Sequence, residues 1–147
     1  MKFASVPKTV VSLTLAMVCV GCRPLISHDE VARASSPDNR IDAVLFETNG
    51  GATTSFGYEV ELGNKDSQRG QRVARLYGAN RNAQAYGANL RWKNKNTLVI
   101  EYLETKTPPE VQNSIHVDGH DVQIILRPGV EDLTAPSGSM LYNLHKH

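Results

Sequence analysis

The chain is poor in cysteine and aromatics, and no apolar run in it is long enough to cross a bilayer. Its two cysteines, Cys19 and Cys22, lie three positions apart near the start. A secreted scaffold stapled by disulfides uses several bridges, so this single pair argues against that class. Aromatics make up only 6% of the residues, so a core must come mainly from Val, Ile and Leu. The uncharged run Thr9–Val20 is shorter than the roughly 20 residues that a spanning helix needs. The sequence contains no G-x-S-x-G elbow, no phosphate-binding loop and no dinucleotide glycine pattern. No cofactor is expected.

What the start does contain is ordered. Lys2 and Lys8 precede the apolar run, and Gly21 and Cys22 follow it. A basic segment, a short apolar segment and a small residue describe a secretory signal peptide. Val20-Gly21-Cys22 resembles the lipobox of bacterial lipoproteins. That resemblance implies a diacylglyceryl group on the Cys22 thiol, cleavage before Cys22 and acylation of the new amino terminus. Cys19 stands where leucine is usual and follows the bulky Val18, so it is expected to leave with the leader. The alternative is an ordinary cleaved signal with Cys22 free. Each buried methylene contributes about 0.8 kcal/mol, and two membrane signals hold a protein stably where one does not.

Three regions follow: a lipoprotein signal peptide at 1–21, a lipidated anchor and flexible tether at 22–40, and a single β-rich domain at 41–147. The mature chain has 126 residues; losing Lys2 and Lys8 leaves 14 basic against 15 acidic side chains, a net charge of −1. Nothing in that balance demands a charged partner. Residues 23–40 hold two prolines and three serines with no sustained apolar period, which reads as a tether of loose chain.

From Ile41 the pattern is β. Ser36-Pro37-Asp38-Asn39 has turn chemistry, and Ile41–Thr48 is rich in strand formers with apolar residues on both faces. Phe56, Tyr58, Val60 and Leu62 alternate with Gly57, Glu59 and Glu61, the signature of a half-buried strand. Gly50 and Gly51 suit the turn between these strands. Residues 89–103 read as a hairpin turning at Asn94-Lys95-Asn96. Asp118-Gly119, set between two β-rich runs, is the strongest hairpin signal of all. The expected fold is mainly β: a small antiparallel sheet or sandwich with hairpins like those of a propeller blade, and at most one short helix.

The middle is ambiguous. Tyr77-Gly78-Ala79-Asn80 recurs as Tyr86-Gly87-Ala88-Asn89, but two copies are too few for a solenoid. Val73, Leu76 and Tyr77 fit a helical face that Gly78 would end, so residues 69–88 read as a short helical turn or an edge strand. No acid lies between Asp66 and Glu101, while Arg69, Arg72, Arg75, Arg81, Arg91, Lys93 and Lys95 fall there or close by. That is either a basic patch for head groups or glycan, or charge spread over several faces. Tyr77, Arg81, Tyr86, Asn89 and Arg91 are the candidate partner-binding residues.

Three chemical readings weaken on inspection. With Asp118-Gly119 as a two-residue turn, His116 pairs with Asp121 and lies opposite His120 in facing, so the two histidines share no metal. His145 and His147 lie at the terminus, and a structural zinc wants four ligands. Thr53, Thr54 and Ser55 offer hydroxyls, yet no nearby His or Lys is evident, and turn capping explains them. Glu59 and Glu61 share a strand face, a commonplace of exposed alternation.

From SPDNRIDAVLF through GGATTSFGYEVEL to YGANLRW and LVIEYL, residues 36–126 resemble a family of small bacterial envelope lipoproteins built on a domain of unknown function. The resemblance implies a lipid-anchored protein and supplies no catalytic residues. Arg23 is not the aspartate that in enteric lipoproteins signals inner-membrane retention, which implies the periplasmic face of the outer membrane. The expected function is non-enzymatic: a lipid-anchored β domain that binds another envelope component, protein or glycan, with no nucleic acid. The alternatives are an envelope hydrolase using the Thr53–Ser55 loop and a carrier of lipid or other cargo.

Overall fold

The computed structural model describes residues 26–141. The leader, Cys22, Arg23, His145 and His147 lie outside them. The described residues form nine strands and no complete helix: β1 (Ser27–Ser35), β2 (Ile41–Asn49), β3 (Gly57–Asn64), β4 (Gln71–Tyr77), β5 (Asn89–Asn94), β6 (Thr97–Glu101), β7 (Glu110–Val111), β8 (Ser114–Val117) and β9 (His120–Arg127). They make two sheets, one in the order β1-β2-β3-β4-β7 and the other β5-β6-β9-β8. One apolar cluster joins them: Leu45, Tyr58, Val60, Leu62 and Leu76 from the first meet Leu98, Ile100, Val122 and Ile124 from the second. The mainly β reading holds, as a sandwich.

The first sheet is antiparallel throughout. The second is mixed, because β6 and β9 run parallel. Of the two expected forms, antiparallel sheet or sandwich, the chain takes the sandwich, with one antiparallel and one mixed sheet. The connection 102–119 carries the chain back across the molecule before β9 enters beside β6, and β7 and β8 form on the way.

β1 departs from the sequence reading and β4 decides it for a strand over a helical turn, and both carry bulges. β1 occupies the stretch read as tether. Its register slips between Glu30 and Ala32, so Val31 has no partner in β2 and is buried. A bulge places two residues opposite one and breaks period two, which hides the strand's apolar side. β4 slips opposite Val60/Glu61, leaving Val73 as the unpaired residue and burying Val73 and Ala74 in succession. The three-residue step from Val73 to Leu76 comes from this bulge and not from a helix.

The hairpins fall where the turn residues place them. Asp118 and Gly119 both have positive φ, 49° and 74°, as a two-residue primed turn requires. Val117 pairs with His120 and His116 with Asp121, whose Nδ1 and Oδ1 are 2.7 Å apart. The Trp92 indole crosses between sheets and donates to the Ala34 carbonyl at 2.9 Å.

Strand directions sort the connections into two ends. The turns at 36–40, 65–70, 95–96 and 118–119 lie at one end, tied by Arg40 Nε donating to Asp118 at 2.7 Å. The loops at 50–56, 78–88 and 102–109 and the tail 128–141 lie at the other. β1 begins at this loop end, since Ser27 pairs with Asn49.

Candidate functional site

The loop end gathers the residues with chemistry to offer. Loop 50–56 closes on itself: the Thr54 amide and hydroxyl both donate to the Gly51 carbonyl, each at 3.1 Å, and Gly51 takes φ 103°. The next residue reaches outward. The Ser55 amide donates to the Tyr77 phenol at 3.0 Å, and Lys106 Nζ donates to Ser55 Oγ. Gly78 allows this, because a Cβ there would sit 2.6 Å from the Lys106 Cγ. Three segments distant in sequence thus meet at one residue, Ser55.

Beside them lies a recess of about 220 Å³ lined by Arg75, Tyr77, Thr107, Pro108 and Glu110. Tyr77 is 39% exposed on its wall. A second recess of about 250 Å³ lies over the 80–86 segment, lined by Asn80, Asn82, Gln84 and Tyr86 among others. Both linings are rich in hydrogen-bonding groups.

A buried polar frame supports this end. Glu47 is 2% exposed and points inward from β2. Its carboxylate accepts from the Tyr58 phenol at 2.7 Å and from the Met140 amide at 2.8 Å. Burial, and then the bond to Glu47, push the Tyr58 phenol far above its ordinary value. Arg81 lies near both and donates through Nε to the Tyr86 carbonyl at 3.1 Å. Burial pulls its guanidinium down, against the opposing pull of Asp132, Tyr58 and Glu47. Asn82 donates to the carbonyls of Asp132 and Ala135 at 2.9 and 3.0 Å, which fixes the tail.

The repeated tetrapeptide finds its meaning here. The two copies fold against each other, with the Gly87 amide donating to the Ala79 carbonyl at 3.0 Å. Each glycine makes room for a long side chain: Lys106 crosses Gly78, and Met140 with Arg81 crosses Gly87.

The five candidate binding residues do not form one surface. Tyr77 is exposed at the site. Tyr86 is half-buried and packs on Phe56 with ring centroids 5.2 Å apart. Arg81 is only 8% exposed and serves as an internal strut. Asn89 turns to Asp132 at 2.9 Å. Arg91 lies on the second sheet, bonded to Glu101 at 2.7 Å. The basic run is likewise dispersed, with Arg72 and Arg75 both directed at Glu59. Conversely, the expectation that no lysine approaches the Thr53–Ser55 loop is corrected by Lys106. Its distance of 51 positions from Ser55 hid it, and only the fold of the 102–109 loop brings it near.

Chemically, the Ser55–Lys106 contact is a donor meeting an acceptor at the surface. Lys106 Nζ is hydrogen-bonded to the Ser55 hydroxyl. The amide that would stabilise an oxyanion at Ser55 is already committed to Tyr77. Among the described residues, no group of three or more His, Cys, Asp or Glu is assembled to hold a metal, and no helix is long and apolar enough to cross a membrane. No family model, curated protein or solved structure matches the chain.

Proposed function

We propose that this chain is a lipid-anchored bacterial envelope protein whose β domain binds another envelope component through its loop end and performs no catalysis. The observation that carries the binding reading is the pair of polar recesses at the loop end, one between the end of β4 and the 102–109 loop and one over the 80–86 segment, with Tyr77 exposed on the wall of the first. Rigid sheets that display clustered loops are a common arrangement for recognition. The Ser55 amide, already donated to the Tyr77 phenol, favours binding over the hydrolase alternative. The anchor rests on Val20-Gly21-Cys22 behind a basic and apolar leader, and the resemblance to envelope lipoproteins, with Arg23 where an inner-membrane signal would carry aspartate, supports the periplasmic face of the outer membrane.

Two measurements test this. The intact mass of protein purified from its own membrane should carry acyl chains on a chain beginning at Cys22, and a Cys22→Ser variant should lack them. A photo-crosslinking side chain at position 77 should capture the same component from native envelopes in repeated trials, while one at the exposed Gln123 should not. An unacylated native chain removes the anchor, and equal labelling from both positions removes the site.

A further inference from the structure

The start of β1 changes what the anchor can do. The tether was expected to run to residue 40, yet the folded chain begins its first strand at Ser27. Five peptide steps separate Ser27 from Cys22, a covalent reach of at most about 18 Å. β1 is nine residues long and spans about 30 Å at roughly 3.3 Å per residue. The strand enters the sheet from the loop end, where Ser27 pairs with Asn49. An acylated Cys22 therefore holds the loop end nearer the bilayer than the turn end, on a leash shorter than the domain.

The surface at that end is suited to such a neighbour. Four large apolar side chains stand exposed among the described residues: Ile26 at 60%, Tyr77 at 39%, Ile125 at 40% and Leu133 at 82%. Three of the four, Ile26, Tyr77 and Leu133, lie at the loop end. Charge is sorted the opposite way. Five of the forty residues in segments 50–56, 78–88, 102–109 and 128–141 are charged, against seven of the fifteen in the turns at 36–40, 65–70, 95–96 and 118–119. Few charges mean little desolvation cost on approach to a lipid surface. A tyrosine suits the head-group layer, and the bond of the Tyr77 hydroxyl to the Ser55 amide keeps its polar end satisfied there. Lys106 can lay its stem along the surface and keep its ammonium among phosphates.

The geometry points to the loop end as a docking face for the phospholipid head groups of the bilayer that carries the anchor, with Ile26, Tyr77 and Leu133 as its apolar contacts. This inference rests on the lipid-anchored reading and names the envelope component that the site meets first.

The test uses the acylated full chain in vesicles of phosphatidylethanolamine and phosphatidylglycerol. A fluorophore is attached at Thr53→Cys or at Lys95→Cys, and the quencher is carried on lipid head groups. Docking predicts quenching several-fold stronger at position 53 than at 95. Both positions are exposed, so neither label disturbs the core. The pair Ile26→Asp and Leu133→Asp should reduce the difference several-fold while the protein still floats with the vesicles. A chain that does not float overturns the anchored reading and the docking with it. A chain that floats with equal quenching at the two positions, or with quenching unchanged by the two aspartates, overturns the docking alone.

Discussion

Strand β2 carries two buried carboxylates, and they show how the two ends of the sandwich are built. Asp42 at the turn end is 1% exposed, and Glu47 at the loop end is 2% exposed. They lie five residues apart and so face opposite sides of the sheet. Asp42 is satisfied by its surroundings in sequence and sheet: the Ser35 hydroxyl at 2.6 Å, Arg33 at 2.9 Å and the Asp66 amide at 3.0 Å. Glu47 is satisfied by Tyr58 and by Met140, 93 positions away. The turn-end carboxylate is held by groups within 24 positions of it. The loop end is closed by the last described residues of the chain, and its integrity depends on them.

The strongest way to break this contrast is through glycine. Gly87 has φ 120°, and a Cβ there would meet the Met140 sulfur at 2.5 Å. Gly87→Ala should cost about 3–4 kcal/mol, from backbone strain together with overpacking. Gly119 at the turn end also has positive φ but faces open space, so Gly119→Ala should cost only about 1–2 kcal/mol. Urea midpoints of the two variants measure the difference.

The carboxylates come next. Tyr58→Phe leaves buried Glu47 with one partner fewer, at a cost of about 2 kcal/mol in the same measurement. Burial alone would raise the Asp42 carboxyl, but Ser35, the Asp66 amide, Arg33 and Lys65 outweigh it and hold it at about 2. Because the folded value is depressed, this stabilisation is complete above the ordinary carboxylate range. It is lost as pH falls from about 4 towards about 2. Asp42→Asn should cost about 2 kcal/mol at neutral pH and flatten that part of the acid unfolding profile. An unchanged profile would show that Asp42 does not govern it.

The smallest effects belong to exposed pairs. His116→Gln removes a cross-strand contact between two largely exposed side chains and should change stability by less than about 1 kcal/mol. Ser55→Ala, which frees Lys106, should be as mild in urea. Its effect belongs in binding at the loop end.

How much of this was legible in the sequence follows from how local each cause is. Asp118-Gly119 sets its own φ values, so the β8–β9 hairpin and its His116–Asp121 register could be read directly. The alternation from Phe56 to Leu62 marked β3 for the same reason. β1 and β4 were hidden because one extra residue in each, Val31 and Val73, shifts the apolar face and breaks the period that reveals a strand. The parallel pairing of β6 with β9 joins residues 26 positions apart, such as Thr97 and Gln123, and nothing local to either strand announces it. At the site, Tyr77 was visible as an aromatic before a glycine. The Lys106–Ser55 contact was not, because it exists only once the 102–109 loop has folded. Arg81 was read as a surface cation because composition cannot tell a strut from a ligand.

That parallel pair also sets an order of events. β6 ends at Glu101, and its neighbour β9 is complete only at Arg127. A chain that emerges amino end first can assemble β1 to β4 while one edge of β6 still stands open. The second sheet is then sealed by the final quarter of the polypeptide, a long-range closure that is slow by nature. Until then the row of unpaired β6 backbone groups is open to pairing with foreign strands.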